Sequence, residues 1–302
     1  MKLLHLGELP CEETQAIYHA MARTGQEGLV ICRPSSRCVC LGLHDDLLQE
    51  VDTDYCRNNE IPLVRREIGG GVVLLEPGQI FFQLVLSRRN PLLDGSRNQF
   101  FHRFLQPAVA TLADFQIDAS ISPPADIVVK GRKISGNGAG DINGMAVYTG
   151  NILLSFDRRT MANILNLPGA LYREMTRVSM ERYLTTMVEE MGKMPDVSSV
   201  EQNLIRHFAT WLGELQPAGY TKELKQETKK SAEMLSDREF LELPGKRSTV
   251  RQIKVNEKTY LRFCPSSGRQ SAIPGYAAQL FRNGVVCDLD SAEHTDEQKT
   301  GT

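Results

Sequence analysis

The chain has 302 residues, of which 41% are hydrophobic, and its 35 basic and 37 acidic side chains give a formal net charge of -2. A chain of this length can bury one large core and still form a small second domain. The near balance of charge argues against a strongly basic nucleic-acid-binding surface. No apolar stretch approaches the roughly 20 residues of a membrane-spanning helix, and the apolar run at the start is too short for a signal peptide, so we expect a soluble, cytoplasmic protein.

The chain contains seven cysteines. An odd number of thiols fits a reducing compartment, and we expect them to be free. Cys32, Cys38 and Cys40 follow a C-x5-C-x-C spacing that matches no common structural zinc pattern. No histidine pair stands nearby at ligand spacing.

Apolar periodicity predicts a first helix over residues 12–23. The segments that follow are short, rich in β-forming residues and bounded by Gly or Pro. They are predicted to be strands, at residues 28–33, 38–43, 61–65, 71–75 and 79–86. Residues 47–59 are predicted to be helical. Apolar spacing over residues 100–115 predicts another helix, which Pro107 must kink or restart.

Further strands are predicted at residues 126–129, 133–135 and 145–156, with tight turns at Lys130-Gly131 and Asn143-Gly144. Ser198 followed by Glu201 has the pattern of a capping box and predicts a helix start. Residues 215–219 resemble a domain boundary. A charged helix over residues 221–235 and short β-like runs at 251–255, 259–264, 276–282 and 285–289 complete the chain.

These elements predict an α+β fold with a mainly antiparallel sheet flanked by helices. We expect a first domain over residues 1–218, a helical connector over 219–246 and a small α/β accessory domain over 247–290. Residues 291–302 lack an apolar anchor, so we expect them to be disordered.

The first segment that could carry chemistry is residues 64–73, in which Arg65 and Arg66 precede Gly69, Gly70 and Gly71. Consecutive glycines are useful where a chain bends sharply or a ligand approaches the main chain. Bare N–H groups beside two guanidinium groups can bind a phosphate or carboxylate. No Gly-Lys-Ser/Thr follows, which excludes a Walker A loop, and a strand rather than a helix follows, which excludes a dinucleotide fingerprint. A purely structural turn would also fit.

The second segment, residues 126–140, is a strand, a tight turn and a returning strand that ends in a glycine-rich run. Lys133 would lie beside backbone that cannot cover it with side chains. A lysine on a rigid strand is a suitable point charge for phosphate and carbonyl oxygens. Lys130, Arg132 and Lys133 would also fit a solvated hairpin edge.

The third segment, residues 147–157, is apolar on both faces, as in a central strand covered on both sides. Asn151 must find hydrogen-bond partners in such a strand, and a ligand is one candidate.

In this order, the three segments resemble the biotin/lipoate ligase superfamily and, within it, the lipoate-protein ligase A family. The matching residues are Arg65-Arg66, Gly69 to Gly71, Asp126-Ile127, Gly131 to Gly136 and Gly150 to Leu154. The resemblance covers about residues 1–215. It implies a biotin/lipoate ligase-like fold, related to class II synthetases, with a small C-terminal accessory domain.

The resemblance also implies an activity. Lipoate or octanoate and Mg-ATP would give an acyl-AMP, and a lysine of a lipoyl carrier protein would then attack the mixed anhydride. The expected carrier is a glycine-cleavage H protein, a 2-oxoacid dehydrogenase acyltransferase subunit or another small lipoyl-binding protein. The enzyme is expected to be a monomer with no nucleic-acid or membrane partner.

The resemblance implies roles for individual residues. Lys133 would be catalytic, bridging the acyl carbonyl and the α-phosphate. The expected nucleotide-binding residues are Arg66, Gly71, Val72, Val73, Leu74 and Lys133. The expected acyl or adenylate pocket consists of Gly69, Gly70, Asp126, Ser135, Gly136 and Asn151, with the Mg ion near Asp126.

Several positions depart from the family pattern. Ile68 replaces a serine, Leu75-Glu76 replaces His-Asp, Ala125 replaces an asparagine, and Thr149-Gly150-Asn151 replaces His-Gly-Thr. These changes bear on the identity of the acyl group more than on adenylation.

Three alternatives are weighed against the ligase. An ATP-independent octanoyl- or lipoyl-transferase of the same fold would need a cysteine, which residues 121–125 lack. A biotin ligase is disfavoured because the expected Lys-Trp-Pro-Asn-Asp stretch is absent. A homologue that binds lipoate or a carrier without turnover is the third.

Overall fold

The computed structural model describes residues 1–248, 251–256, 258–265, 276–282 and 285–287. The strands are β1 (Lys2–Leu9), β2 (Gly28–Pro34), β3 (Cys38–Leu41), β4 (Leu63–Arg65), β5 (Val73–Leu75), β6 (Gln79–Ser87), β7 (Ala119–Ser122), β8 (Asp126–Val129), β9 (Arg132–Ser135), β10 (Asn137–Ile142), β11 (Met145–Leu153), β12 (Gln216–Pro217), β13 (Arg251–Asn256), β14 (Thr259–Pro265), β15 (Tyr276–Arg282) and β16 (Val285–Cys287). The helices are α1 (Cys11–Arg23), α2 (Leu47–Glu50), α3 (Thr53–Asn58), α4 (Arg97–Asp114), α5 (Arg158–Ile164), α6 (Ala170–Tyr183), α7 (Met187–Met191), α8 (Val197–Leu212), α9 (Lys222–Ser236) and α10 (Arg238–Leu241). The tail expected to be disordered, residues 291–302, lies outside the described residues.

A six-stranded sheet with the order β10-β11-β6-β2-β1-β12 forms the centre of the molecule. Strands β10, β11, β6 and β2 pair antiparallel, whereas β1 pairs parallel with both β2 and β12. β6 is buried along nearly its whole length, as expected for a strand covered on both faces. The predicted α+β class with a mainly antiparallel sheet is confirmed.

Helices cover both faces of this sheet. On one face, α4 and α8 bring Phe104 and Phe208 against Phe82 of β6, with ring centroids 5.3 and 5.7 Å from that of Phe82. On the other face, α1 packs against β6 and α9 packs against α1. Leu224 and Leu235 of α9 are buried in that second core. The predicted connector is therefore helical, but it packs as an outer layer over the central sheet.

A smaller sheet with the order β13-β14-β15-β16 is antiparallel throughout. Ile253 and Leu261 pack in a third core with Leu47 and Val51 of the first part of the chain. An α/β arrangement was predicted here, but the regular structure in the described part of residues 247–290 consists of strands. Helix α6, from the first part of the chain, packs against β13. The end of the last predicted strand, residues 288–289, lies outside the described residues.

The predicted boundary at residues 215–219 is part of the central sheet. Gln216 pairs with Lys2 and Pro217 pairs with Leu3, so β12 forms the edge of the sheet beside β1. Neither β1 nor helix α6 was predicted. β1 starts at the second residue and mixes exposed and buried positions irregularly, so its sequence shows no clean alternation.

The predicted helix over residues 47–59 is two short helices. The Asp46 side chain accepts a hydrogen bond from the backbone N–H of Gln49 at the start of α2. Asp52 does the same with Tyr55 at the start of α3. The stretch is therefore helical as predicted but interrupted, because a second cap begins a second helix.

The helix predicted after Ser198 is present as α8, but its start is capped differently from the prediction. Asp196, rather than Ser198, caps α8, and Glu201 is buried where it binds His5 and Arg33, so the predicted capping box is wrong. α4 runs through Pro107 without restarting. A true capping box lies at the start of α4, formed by Ser96 and Gln99.

The two predicted hairpins are confirmed. Lys130-Gly131 joins β8 to β9 and Asn143-Gly144 joins β10 to β11, with positive φ at all four residues. Two left-handed residues in a row are typical of the type I′ turn.

The cysteines differ from expectation. Cys11 and Cys38 form a disulfide with a Cα–Cα distance of 5.9 Å, so the prediction that all thiols are free was wrong. Cys32, Cys40 and Cys56 are free and buried.

Among the helices of the described segments, none is both long enough and apolar enough to cross a bilayer.

Candidate active site

Lys133 and Asp126 form an ion pair across the β8–β9 hairpin. The Nζ–Oδ1 distance is 2.8 Å, the lysine side chain is 20% exposed, and the aspartate is 2% exposed. Lys130, at the turn of the same hairpin, is exposed. The solvated-edge interpretation therefore fits Lys130 but does not fit Lys133, whose ammonium group is held in place by a buried carboxylate.

The ammonium group lies beside bare backbone. A Cβ atom at Gly136 would lie 3.6 Å from Cε and 3.8 Å from Nζ of Lys133. Ser135 is fully buried, and its hydroxyl donates to Oδ1 of Asn137 at 3.2 Å. The Asn137 side-chain amide donates to the carbonyl of Ala125 at 2.7 Å. The backbone at position 125, where the family has an asparagine, thus accepts a hydrogen bond from the side-chain amide of Asn137 at the start of β10.

Asn151 finds its partners within the protein. Its Oδ1 accepts from the Gly136 N–H at 2.7 Å, and its own N–H donates to the Gly136 carbonyl at 3.1 Å. Its Nδ2 donates to Oε1 of Gln79 at 3.1 Å. Gln79 is 1% exposed, and its Nε2 donates to the carbonyl of Leu74 at 3.0 Å. Two side-chain amides therefore link the glycine-loop strand β5 to the backbone beside Lys133.

The sequence analysis did not identify Gln79. Its only signal was a polar residue at the start of an otherwise apolar strand.

Arg66 holds the glycine loop in place through hydrogen bonds to backbone carbonyls. Its guanidinium donates to the carbonyls of Gly69 (3.1 Å), Gly71 (2.9 Å) and Cys40 (3.2 Å). The residue is 8% exposed. The expectation was that this guanidinium would bind a nucleotide directly, but the structure directs it to the loop's own carbonyls. Gly70 and Gly71 themselves are exposed.

Two positions, Gly70 in the loop and Gly42 outside it, require glycine because two chain segments approach each other closely there. A Cβ at Gly42 would lie 1.9 Å from the carbonyl oxygen of Gly70, and a Cβ at Gly70 would lie 2.5 Å from Arg66. Gly70 also has φ of +108°. Any side chain at either position would push the loop outward. Gly42 was not singled out in the sequence.

His19 supports the start of the same loop. It is fully buried on α1, and its Nε2 accepts from the Glu67 N–H at 3.1 Å. Its Nδ1 therefore carries the proton and donates to the Gln15 carbonyl at 2.7 Å. Burial lowers the pKa of His19 to about 3, so the ring is neutral at physiological pH.

Arg65 points away from the loop and is fully buried. Its guanidinium donates to carbonyls of two distant segments: Gly42, Leu43 and Asp45 on one side, and Leu241 and Leu243 on the other. It thus joins the segment after β3 to the segment that leads into the C-terminal sheet.

Glu76, another departure from the family pattern, has a structural environment. It is 4% exposed, accepts from the Asp157 N–H at 2.7 Å and lies 3.0 Å from the Arg37 guanidinium. These contacts fix the end of β5 against the segment after β11.

The three free thiols among the described side chains, Cys32, Cys40 and Cys56, are poorly suited to nucleophilic catalysis. Burial raises the pKa of Cys40 despite its contact with Arg66, and it raises the pKa of Cys56 to about 11. Burial also raises the pKa of Cys32. A nucleophilic cysteine needs a lowered pKa.

The arrangement can stabilise negative charge beside exposed main-chain groups. An ammonium has three N–H donors. Asp126 takes one of them, and it is the partner found for Lys133 among the residues that the structure describes. Two donors are left for ligand oxygens. No group of three or more metal-ligating side chains occurs in the described ranges.

Comparison with known proteins identifies the family. The family model described as the lipoyl protein ligase A/B catalytic domain matches residues 11–209. The chain belongs to this family. The match covers both the glycine loop and the Lys133 hairpin.

Individual relatives are more distant. The chain is 34% identical over 99 residues to lipoate-protein ligase LplJ of Bacillus subtilis, covering 33% of this chain and 28% of that protein. It is 24% identical over 235 residues to lipoate-protein ligase 1 of Staphylococcus aureus, covering 78% and 64%. It is also 24% identical over 264 residues to octanoyltransferase LipM of Kyrpidia tusciae, covering 78% and 94%. The chain thus spans less than two thirds of the first two relatives.

Solved structures share the fold. The bi-partite lipoate protein ligase of Thermoplasma acidophilum, solved in a study of that ligase and its E2 lipoyl domain, has a TM-score of 0.71 at 24% identity, covering 82% of this chain and 98% of the other. Lipoate-protein ligase A bound with ATP has a TM-score of 0.65 at 23% identity, covering 80% and 98%. The expected biotin/lipoate ligase-like fold is confirmed.

Proposed function

We propose that this protein is an ATP-dependent lipoate-protein ligase. It joins lipoate or octanoate to AMP, with release of pyrophosphate from Mg-ATP, and transfers the acyl group to a lysine of a lipoyl carrier protein. The first step forms an acyl–phosphate bond and breaks the bond between the α- and β-phosphates. The second forms an amide and releases AMP.

The observation that carries the proposal is the Lys133 ammonium group, fixed by Asp126 beside the bare backbone of Gly136. Its two remaining donors can bind the acyl carbonyl oxygen and an α-phosphate oxygen of one mixed anhydride. Negative charge grows on the phosphate in the first step and on the carbonyl oxygen in the second. A cation already held in position stabilises both transition states without reorganisation.

The glycine loop supplies the second half of the proposed site. Exposed N–H groups at Gly70 and Gly71 can reach phosphate oxygens because no side chain covers them. Hydrogen bonds from Arg66 to the Gly71 carbonyl and from the Glu67 N–H to His19 hold the loop to the rest of the protein. In this proposal Arg66 acts through the loop, while residues 71–74 contact the nucleotide. The Mg ion would enter with ATP, and Asp126, which pairs with Lys133, would be the protein carboxylate near it.

A transferase that forms an acyl-cysteine is the second candidate, since octanoyltransferases are among the relatives. The thiols argue against it. Cys40 and Cys56 are buried with raised pKa values, and residues 121–125, where such enzymes carry the nucleophile, contain no cysteine. The ATP requirement separates the two candidates.

The test is to incubate the protein with Mg-ATP, octanoate or lipoate and an apo-lipoyl domain, and to follow pyrophosphate and the mass of the carrier. We expect both pyrophosphate and a mass gain of one acyl group. Lys133→Ala should abolish both. Lys130→Asn, on the exposed turn of the same hairpin, is the matched control and should behave as the parent, because asparagine tolerates positive φ. Acyl transfer that proceeds without ATP and stops in Cys40→Ala would refute the ligase.

The partner follows from the proposed chemistry, namely a small lipoyl-binding protein with an exposed lysine. The solved relative whose study includes an E2 lipoyl domain supports this class of partner. We also propose a cytoplasmic location, where ATP and carrier domains are found together.

A further inference from the structure

The Cys11–Cys38 disulfide ties helix α1 to the small sheet that carries the glycine loop. Cys11 is the first residue of α1, and Cys38 is the first residue of β3. That sheet has the order β4-β3-β5. The glycine loop leaves β4 and enters β5, so β3 lies between the two ends of the loop. Cys38 pairs with Leu75 of β5, and Sγ of Cys11 lies 3.8 Å from the Leu75 carbonyl oxygen. The disulfide therefore fixes the base of the loop to α1.

The two elements that the disulfide joins also hold the loop by hydrogen bonds. From α1, Nε2 of His19 accepts from the Glu67 N–H at 3.1 Å. From β3, the Cys40 carbonyl accepts from the Arg66 guanidinium at 3.2 Å. Without the covalent link, α1 and β3 can shift relative to each other, and the loop between these two supports is then less firmly held.

Both cysteines of the disulfide adjoin exposed residues. The Cys11 and Cys38 side chains are fully buried, but their neighbours Pro10 and Arg37 are exposed. The exposed Ser36 accepts through Oγ from the Cys11 N–H at 3.3 Å. A cavity of about 360 Å³ beside Ser36 and Arg37 leaves the turn between β2 and β3 room to move. Helix ends and surface turns open locally far more easily than a core, so a reductant can reach the bond without global unfolding.

A disulfide is unexpected in the compartment proposed for this protein. Disulfides are rare in the cytosol of most cells, and those that form there are mostly transient, catalytic or redox-sensing. We propose that Cys11 and Cys38 are a thiol–disulfide exchange site, at which a dithiol reductant of the Cys-x-x-Cys type loosens the glycine loop. The cytoplasmic location and the binding of nucleotide by the loop rest on the proposed function, whereas the link between disulfide and loop rests on the contacts of α1 and β3.

The exchange takes two steps. A thiolate of the reductant attacks one sulfur of the pair, which breaks the Cys11–Cys38 bond, forms a mixed disulfide and releases the other cysteine as a thiolate. The second thiolate of the reductant attacks the mixed disulfide, so the reductant leaves with its own disulfide. Two electrons pass to the protein, and Cys11 and Cys38 each take up one proton. A dithiol carries its resolving thiol with it and needs no second molecule to enter a partly enclosed site.

The first experiment compares the full chain before and after treatment with dithiothreitol, a small dithiol. Each sample is quenched in acid and alkylated in denaturant, and the peptides that contain Cys11 and Cys38 are identified by mass. We expect a linked pair of peptides before treatment and two alkylated cysteines after it. Reoxidation after removal of dithiothreitol should restore the linked pair.

Hydrogen exchange and the binding of Mg-ATP are measured on the same samples. We expect reduction to speed exchange over residues 66–73 about tenfold and to weaken ATP binding, followed by calorimetry, about tenfold. Exchange over α8, on the other face of the central sheet, should not change. Cys11→Ala and Cys38→Ala should behave like the reduced parent with or without dithiothreitol. Cys56→Ala removes a free thiol from a different core and should respond as the parent does.

Several results would overturn the inference: alkylation of both cysteines before treatment, a disulfide that dithiothreitol leaves intact in the folded protein, unchanged exchange over residues 66–73, or equal ATP binding in both states. An equal acceleration over α8 would also overturn it, because that result indicates a general loss of stability. The comparison of the parent in two states needs no substitution, so it decides the matter even if the alanine variants fail to fold. Faster loop exchange on reduction in a protein that never binds ATP would reject the ligase proposal and leave the exchange site standing.

Discussion

The side-chain amide of Asn151 donates a 3.1 Å hydrogen bond to Oε1 of Gln79. Through this contact the carbonyl of Leu74 and the N–H of Gly136 are joined by two side chains. The first belongs to the stretch proposed to contact the nucleotide, and the second adjoins Lys133. A shift of either segment is therefore transmitted to the other.

Replacing Gln79 with leucine should separate the two halves of the site. The change keeps the apolar bulk of the side chain but leaves the Leu74 carbonyl and the Asn151 amide without partners, which costs about 1–3 kcal/mol each when such groups are buried. We expect acyl-AMP formation to slow about tenfold or more and the fraction of acyl-AMP that reaches the carrier to fall. That fraction does not depend on how much protein is folded. Gln202→Leu, on the exposed face of α8, serves as the control, and an unchanged fraction in Gln79→Leu would show that the link has no role in catalysis.

Lys133→Met should remove activity and also lower stability. The methionine leaves the buried carboxylate of Asp126 without its cation. The stability loss should be smaller than the roughly 3–5 kcal/mol known for fully buried pairs, because the lysine is 20% exposed. Adding Asp126→Asn should restore most of the stability, measured by urea unfolding, without restoring pyrophosphate release. Recovery of activity in the double variant would mean that the ammonium group takes no part in the reaction.

Arg66→Lys should loosen the glycine loop. A lysine keeps the charge but lacks the planar fork that reaches the carbonyls of Gly69, Gly71 and Cys40 at once. We expect faster hydrogen exchange over residues 66–73 and a KM for ATP raised about tenfold, with a smaller change in kcat. Arg88→Lys, which alters an exposed arginine paired with Asp141, should leave both quantities unchanged. Normal exchange with a raised KM would instead indicate direct contact between Arg66 and ATP.

His19 should make stability depend on pH. Its pKa of about 3 in the folded protein lies below the ordinary histidine value of 6.5, so the unfolded chain binds the extra proton first. The contribution to stability is complete above about pH 6.5 and is lost as the pH falls towards 3. Between pH 6.5 and 5 the loss should approach about 2 kcal/mol. His19→Gln cannot titrate and should show a correspondingly flatter curve by urea unfolding, and parallel curves for the two proteins would contradict the assignment.

Much of the fold could be predicted because the sequence carries local signals. The Lys130-Gly131 and Asn143-Gly144 turns need left-handed residues and fixed two hairpins in advance. The amphipathic spacing of α1 and α4 did the same for two helices. β1 and β12 could not be predicted in this way, because the pairing of Gln216 with Lys2 joins opposite ends of the first 217 residues and depends on tertiary structure.

The site could be predicted in outline only. The segments around Gly69 and Lys133 stand out as glycine-rich runs beside positive charge, and the structure describes both as ordered backbone. The direction in which a side chain points, by contrast, is not visible in the local sequence. Whether Arg66 points outward or beneath the loop depends on the carbonyl of Cys40, on a strand 26 positions away. Gln79 acts through a side-chain contact with Asn151 and His19 through a contact with the Glu67 N–H, and both partners are far away in sequence.

Arg65 belongs to the motif that begins the glycine loop, yet two of its acceptors, the carbonyls of Leu241 and Leu243, lie at the end of α10 and just after it. A buried guanidinium group needs hydrogen-bond acceptors even in a protein whose sequence is split between two polypeptides. Any relative that carries the later segment on a separate polypeptide has to replace these oxygens with others or obtain them from the second chain. In this molecule, the turn that begins the glycine loop is thus held by a segment encoded more than 170 codons downstream.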